Sequence, residues 1–350
     1  MIELIPQLFS FSSLTVIGSQ LIFALLLDRI LGEPARFHPL IGFGNLANRI
    51  EAKFNPQQNV TEDDLPHVGK ARFKGMIGWL ILVVPLPIAL WGLNYCAVNF
   101  AAANDSSRVY WLIGILNSFV LYLAIGLQSL TQHAMQIYHP LKHGDMDQAR
   151  HFTGYMVSRD TQSLTPKDMR RAAVESVLEN GHDGVIASLF YFVIGGAPLV
   201  VLHRLINTLD AMWGYKTPRF LYFGWWAARA DDHLGWASTY CTSLLYVLAA
   251  PKTHQSKLLA FEHISRAWRQ AKDYKSKNGG RCMATGASAL GFTLGGTAHY
   301  QGNIIRSPLL GNGKIVALED IPRSVALVKR SAWLFALAVL SIGLTANAIF

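Results

Sequence analysis

The chain has 350 residues, 51% of them hydrophobic and only 15% charged, with a formal net charge of +9. A soluble domain carries about a quarter charged residues, so this balance points away from an ordinary globular protein. Three cysteines far apart in sequence, with no CxxC, exclude a disulfide framework and a cysteine-rich zinc site; the lack of a basic repeat, zinc finger or RNA-binding signature excludes nucleic acid as a partner.

In chain order, six stretches lack Asp, Glu, Lys and Arg: 4–27, 75–104, 109–141, 184–203, 233–251 and 331–350. About 20 predominantly apolar residues span a bilayer as a helix. Soluble helices rarely go so long without a charge, because one face meets water. The pattern predicts an all-α, polytopic membrane protein. Glu3 stands where a signal peptide has its basic region, and no small-residue cleavage site follows. The first stretch therefore reads as an uncleaved membrane helix. Pro85 and Pro87 predict a kink in the second. Residues 55–67 (NPQQNVTEDDLPH) read as a polar loop. His139 and His143 have i,i+4 spacing, but Pro140 disfavours a regular helix there.

Residues 142–183 form the best candidate for a helical region outside the membrane. Thr165, Pro166 and Asp168 predict a helix start, with a Thr cap, Pro at the first position and an acid at the third. The helix should run to about Asn180, with Gly181 past its end. Arg171, Glu175 and Glu179 fall on one side at i, i+4 and i+8, a spacing typical of a solvated face with ion pairs. The polar sequence Glu179-Asn180-Gly181-His182-Asp183-Gly184 then enters an apolar run directly. Gly195-Gly196-Ala197-Pro198 interrupts that run and predicts a broken or re-entrant helix.

The charge distribution suggests an orientation. The segment 252–330 holds 13 Lys and Arg against 4 Asp and Glu, and 28–74 holds seven basic residues. Cytoplasmic loops are enriched in Lys and Arg, which places both segments inside and 105–108 outside. If 184–203 and 233–251 both crossed fully, the polar stretch 204–232 would be stranded outside. We therefore expect 204–232 to open to the cytoplasm or a cavity connected with it.

Polar and ionisable residues beside membrane segments mark functional sites. Glu175, Glu179, Asp183, Asp210, Asp231 and Asp232 offer hard oxygen ligands suited to Mg²⁺. Arg204 and Arg229 can hold phosphate oxygens. Such a set fits metal-assisted phosphoryl chemistry, and equally a transporter with broken helices. Gly311-Asn312-Gly313-Lys314 lacks the remaining residues of a Walker A loop, and the GxGxxA match at Gly42–Ala47 follows no clear strand.

An ordered series of motifs resembles one family over nearly the whole chain, the CobD/CbiB cobalamin-biosynthesis membrane proteins. Asp28-Arg-Ile-Leu-Gly32-Glu33-Pro34 with His38-Pro39 resembles the family's N-terminal signature, and Ser158-Arg159-Asp160-Thr161 its SRDT element. Glu175-Ser176-x-x-Glu179-Asn180 with Asp183-Gly184-Val185 is similar to its ESxxEN…DGV block. Gly195-Gly196, Asn207-Thr208-Leu209-Asp210, Gly214-Tyr215, Phe223-Gly224 and Ala228-Arg229-Ala230-Asp231-Asp232 follow in the family's order. Asn278-x-Gly280 and Leu294-Gly295-Gly296…Tyr300-x-Gly302 complete it.

The resemblance implies a single membrane domain over 1–350 in the plasma (cytoplasmic, inner) membrane. It also implies an ATP-dependent ligase that joins adenosylcobyric acid, a corrinoid, to aminopropanol or its phosphate. Other membrane enzymes of the pathway are expected neighbours. On this reading Asp183, Asp210, Asp231 and Asp232 hold Mg²⁺, and Arg159, Arg204 and Arg229 face phosphates of ATP. Asn180 and Asn207 orient reacting groups. The chain departs from the family pattern after the Asp pair. Where the family continues with Asn and then Ile-Pro-Ala-Arg, this chain has Gly235-Trp236-Ala237-Ser238-Thr239-Tyr240, with Tyr240 at the Arg position. An AmpE-like membrane regulator on the same fold, without ligase activity, is the alternative.

Overall fold

A computed structural model describes residues 11–34, 38–56, 68–157, 161–251, 260–300 and 303–349. The first half contains α1 (Phe11–Leu31), α2 (Pro39–Phe54), α3 (Val68–Val83), α4 (Pro85–Ala103), α5 (Ser107–Ala124), α6 (Leu127–His143), α7 (Met146–Met156) and α8 (Pro166–Asn180). A π-helical turn (Gly181–Ile186) leads into α9 (Ala187–Trp213), α10 (Trp225–Ala249), α11 (Ala260–Gln270) and α12 (Lys277–Leu290). Strands β1 (Phe292–Tyr300), β2 (Asn303–Gly311) and β3 (Lys314–Ile315) precede the long α13 (Asp320–Ile349).

Among the described residues, five helical stretches are long and apolar enough to cross a membrane: Leu14–Leu31, Val68–Ala103, Ser107–His143, Pro166–Trp213 and Asp320–Ile349. Large apolar side chains such as Leu93, Phe100, Trp111, Leu337 and Ile342 stand exposed on them. That surface suits lipid, where helices satisfy their own backbone groups. The chain is a helical multi-pass membrane protein. The sixth apolar run, 233–251, falls in the second part of α10 as far as Ala249 and is not among these five. Its Ser238, Thr239, Thr242 and Ser243 are fully buried, so one face of this helix turns hydroxyls toward protein.

The chain divides into two compact units. One comprises Met1–Ile125, Ser188–Gly235 and Val339–Phe350. Its core includes Ala47, Leu82, Val83, Leu205, Ile206, Leu209, Trp213, Phe223 and Ala227. The His-Pro pair of the N-terminal signature starts α2: His38 Nδ1 accepts the Leu40 N–H at 3.2 Å, and Pro39 sits in the first turn. The expected kink lies at Val84, where α3 gives way to α4 just before Pro85. Buried Glu51 pairs with Arg219 through both guanidinium Nε, at 3.0 Å, and Nη2, at 2.5 Å, while Asn55 bridges the Glu51 carboxylate and the Arg219 carbonyl. These bonds staple α2 to the segment between α9 and α10, and the Glu51 hydrogen bond raises the Arg219 pKa further.

The other unit comprises Gly126–Ala187 and Trp236–Ala338. Helix α8 starts as expected, with the Thr165–Asp168 capping box formed in both directions and Pro166 in the first turn. Helix α6 continues through Pro140 to His143, contrary to the expectation of irregular chain there. A proline is tolerated here because Gly144 ends the helix in the next step, in the left-handed region at φ 79°. The His143 ring meets the His139 carbonyl at 2.8 Å.

Two further features depart from the sequence reading. Gly181 does not stop α8: its backbone stays right-handed helical and the chain continues in a π-turn. Glycine is needed there for close approach, since a Cβ would lie 2.5 Å from Val328 Cγ2 and 2.7 Å from the Tyr246 hydroxyl. The second is a small sheet in a chain expected to be all helical. Strand β1 pairs antiparallel with β2 and parallel with β3, with a register shift between Leu294 and Gly296. The expected break in the fourth apolar run is present: Gly195 and Gly196 leave the helical region, with Gly196 at φ 63°, ψ −154°. That conformation is open to glycine and strained for other residues.

Candidate functional site

In the first unit, six of the expected residues lie on the second part of α9 and the start of α10. Arg204, Asn207 and Asp210 recur at steps of three on α9. Arg204 Nη1 donates to Asn207 Oδ1 at 3.3 Å, and Asn207 Nδ2 donates to Asp231 Oδ1 at 3.3 Å. The amide is thus oriented by a cation at its oxygen and a carboxylate at its nitrogen. Asp232 follows Asp231 about 100° further around the helix and is exposed, whereas Asp231 is half-buried. Arg229 is exposed, with its guanidinium 5.6 Å from the Trp225 ring centre, and Arg72 lies 5.1 Å from the same ring. Asp210 folds over Gly214, where a Cβ would lie 2.0 Å from Asp210 Oδ1. The Asn207…Asp210 and Gly214 motifs are therefore one local structure.

In the second unit, Asn180 donates to the Ser176 carbonyl at 2.9 Å and to Ser176 Oγ at 3.0 Å. Asp183 Oδ1 lies 2.6 Å from His182 Nδ1. His182 is fully buried, and its Nε2 lies 3.0 Å from Ser238 Oγ and 3.3 Å from Thr239 Oγ1. Just before the π-turn, the Tyr246 hydroxyl donates to the Leu178 carbonyl at 2.9 Å. π-Turns within helices frequently occur at functional sites. Cys282 is fully buried close by; burial pushes its thiol pKa well up, with a lesser rise from Asp183. His182, Ser238 and Thr239 had not been singled out from sequence. The only hint was a histidine beside Asp183 in a polar turn entering an apolar run.

The row Arg171, Glu175 and Glu179 proves not to be a simple solvated face. Arg171 donates to the Gly295 carbonyl at 2.9 Å and the Thr297 carbonyl at 2.7 Å, while Glu175 Oε1 accepts the Gly295 N–H at 2.9 Å. Glu179 packs against the first turn of α12, where a Cβ on Gly279 would lie 2.4 Å from its Oε1. The Glu175 and Glu179 motif residues thus hold the β1 bulge and the α12 start. A cleft of about 310 Å³ opens beside the bulge, lined by Lys167, Arg171, Thr293, Gly296 and Thr297 among others. Arg159 lies outside the described residues.

Among the described residues, no three His, Cys, Asp or Glu side chains form a ready metal cage. Mg²⁺ commonly takes one or two carboxylates and fills its remaining positions with water and phosphate oxygens. Half-buried Asp231, fixed by Asn207, fits that mode, as does Asp183, fixed by His182.

The family model described as CobD/Cbib protein matches residues 21–328. The chain is 42% identical to the protein named Cobalamin biosynthesis protein CobD of Chromobacterium violaceum over 330 residues, 93% of this chain and 96% of that protein. A protein of the same name from Stutzerimonas stutzeri is 42% identical over 317 residues, 90% of this chain and 92% of its own. One from Halalkalibacterium halodurans is 34% identical over 311 residues, covering 88% and 91%. No solved structure matches the chain significantly.

Proposed function

The chain belongs to the CobD/CbiB family, and from that premise we propose that it is an ATP-dependent ligase of cobalamin biosynthesis, joining the free carboxylate of adenosylcobyric acid to aminopropanol or its phosphate. The observation that supports this most is the hydrogen-bonded line Arg204–Asn207–Asp231, which sets a guanidinium suited to phosphate and a carboxylate suited to Mg²⁺ about one amide.

A carboxylate at neutral pH is a poor acyl donor. One of its oxygens attacks the γ-phosphorus of ATP, ADP leaves, and an acyl phosphate forms. The unprotonated amine then attacks the carbonyl carbon, inorganic phosphate leaves, and the amine proton passes to solvent. The protein's tasks are positioning and charge neutralisation. Arg204 and Arg229, with Arg159, take phosphate oxygens, and Asn207 and Asn180 orient reacting groups. Asp183, Asp210, Asp231 and Asp232 hold Mg²⁺ directly or through water. Mg²⁺ held there would supply charge neutralisation at the phosphates. The protein sits in the plasma membrane with 204–232 open to the cytoplasm, the source of ATP, among other membrane enzymes of the pathway.

A second reading, an AmpE-like regulator without ligase activity, draws support from Tyr240. It stands where the resemblance has an arginine, and its ring packs on Trp268 at 4.3 Å. A strain that makes cobalamin, lacks this gene and has no second copy separates the two. Under the ligase reading it grows on cobinamide and fails on cobyric acid. Growth on cobyric acid alone would overturn it.

A further inference from the structure

We propose that His182 is a positioning residue for Asp183, and that the hydroxyls of Ser238 and Thr239 select its tautomer. This rests on the ligase reading for its catalytic consequence, while the hydrogen-bond assignment stands on geometry alone.

An ionised carboxylate only accepts hydrogen bonds. The 2.6 Å contact between Asp183 Oδ1 and His182 Nδ1 therefore requires a proton on Nδ1. In the neutral ring Nε2 is then an acceptor, and the two groups facing it, Ser238 Oγ and Thr239 Oγ1, are both able to donate. With Nδ1 donating to Asp183 and Nε2 accepting from a hydroxyl, both ring nitrogens of this fully buried imidazole are satisfied. Asp183 by contrast is only half-buried. The result is a directional chain, from buried hydroxyls on α10 through a locked ring to a carboxylate at the edge of the buried region. One carboxylate oxygen, on the π-turn, is held by the ring.

The source of the two hydroxyls gives the inference a further consequence. Ser238 and Thr239 lie within 235–240, the stretch in which this chain departs from the family pattern. That stretch has not simply lost a polar function, because it orients the histidine beside Asp183. Outer-shell partners of this kind change activity by about 10- to 100-fold when removed, because the group they hold loses its orientation.

The test separates positioning from packing by replacing each end of the ring. His182→Asn keeps a donor near the place of Nδ1 and loses the Nε2 end. His182→Gln reaches the place of Nε2 and gives up the Asp183 bond. The full-length protein in lipid nanodiscs is compared for kcat and KM with adenosylcobyric acid, ATP and the amine. A positioning role predicts that His182→Gln lowers kcat about tenfold or more with KM unchanged, and that His182→Asn recovers most of the loss. Equal losses in both would overturn it. A second readout needs no turnover. In ¹⁵N-histidine spectra, the resonance lost in His182→Gln should report a neutral ring protonated at Nδ1, and in the Ser238→Ala/Thr239→Val double variant it should become a tautomer mixture. An Nε2-protonated ring in the unmodified protein would overturn the assignment. Absence of ligase turnover with the expected spectra would instead overturn the ligase reading and leave the hydrogen-bond assignment standing.

Discussion

Asn207 donates its side-chain amide to Asp231 across 3.3 Å, joining two helices at residues 24 apart in sequence. The same amide accepts from Arg204, so its orientation depends on the charge of both neighbours. Asp231→Asn removes the acceptor charge at nearly constant size. We expect turnover to fall by about 100-fold or more, the range seen when a fixed electrostatic group is lost, with membrane insertion unchanged. Asp232→Asn, at the exposed position, should cost less. ADP release by the purified protein measures both, and wild-type rates in both variants would remove the pair from the site.

The Glu51–Arg219 staple predicts a stability effect distant from the chemistry. Removing one partner of a buried pair costs several kcal/mol, but Arg219 is half exposed, with 51% of its side chain accessible. Solvent screening therefore lowers the expectation for Glu51→Gln to about 1–2 kcal/mol. Thermal unfolding in detergent should show a lower Tm, and an unchanged Tm would mean that solvent replaces the pair without cost.

That staple also decides how the topology is tested. Lys216 and Thr217 are exposed and lie in the segment between α9 and α10, whereas a cysteine at Arg219 would break the ion pair. Single cysteines at Lys216 and Thr217, in a cysteine-free background, should remain unlabelled by an impermeant maleimide added outside intact cells. Labelling there would place 204–232 on the outer face. In the unsubstituted protein, Cys282 is fully buried with its pKa raised, so it should react only after denaturation, even at mildly alkaline pH.

Gly196 and Gly181 test two different uses of glycine. Gly196→Ala places a side chain at φ 63°, ψ −154°, a region costing about 1–3 kcal/mol for other residues. Gly181→Ala pushes a methyl group into Val328 and the Tyr246 hydroxyl, and overpacking of this kind costs about 1–3 kcal/mol. Both should lower Tm. Only Gly181→Ala should also disturb the His182 spectrum, since only that site lies beside the π-turn.

Local signals were legible where a residue type acts on its immediate neighbours. Thr165, Pro166 and Asp168 marked the start of α8 because a capping box is closed within four residues. Gly195 and Gly196 marked the break because their backbone freedom is intrinsic. Gly181 misled because glycine also serves close packing, and the Val328 and Tyr246 neighbours are remote in sequence. The sheet escaped for a related reason: the bulge at Leu294–Gly296 breaks the alternation that marks a strand. The helix break at Ile125–Gly126, between α5 and α6, has no proline and interrupts an apolar run without any charge to mark it. Motif order identified acids and arginines, but separating Asp231 from Asp232, or Glu175 from Asp183, required knowing what each carboxylate faces.

The packing of the first helix against the last residues of α13 has a consequence for biosynthesis. A Cβ on Gly18 would lie 2.5 Å from Leu340 Cα, and one on Gly343 would lie 2.4 Å from the Thr15 nitrogen. Helix α1 emerges from the ribosome early, yet its partner is made more than 300 residues later, at about 5–20 residues per second. For at least about 16 seconds the glycine face of α1 waits in the bilayer without its mate. A nascent chain stalled before Leu340 should therefore present this face to insertion chaperones or to quality-control proteases. Site-specific crosslinking from Thr15, which packs on Gly343, would follow the wait during synthesis, and its signal should vanish once α13 is released.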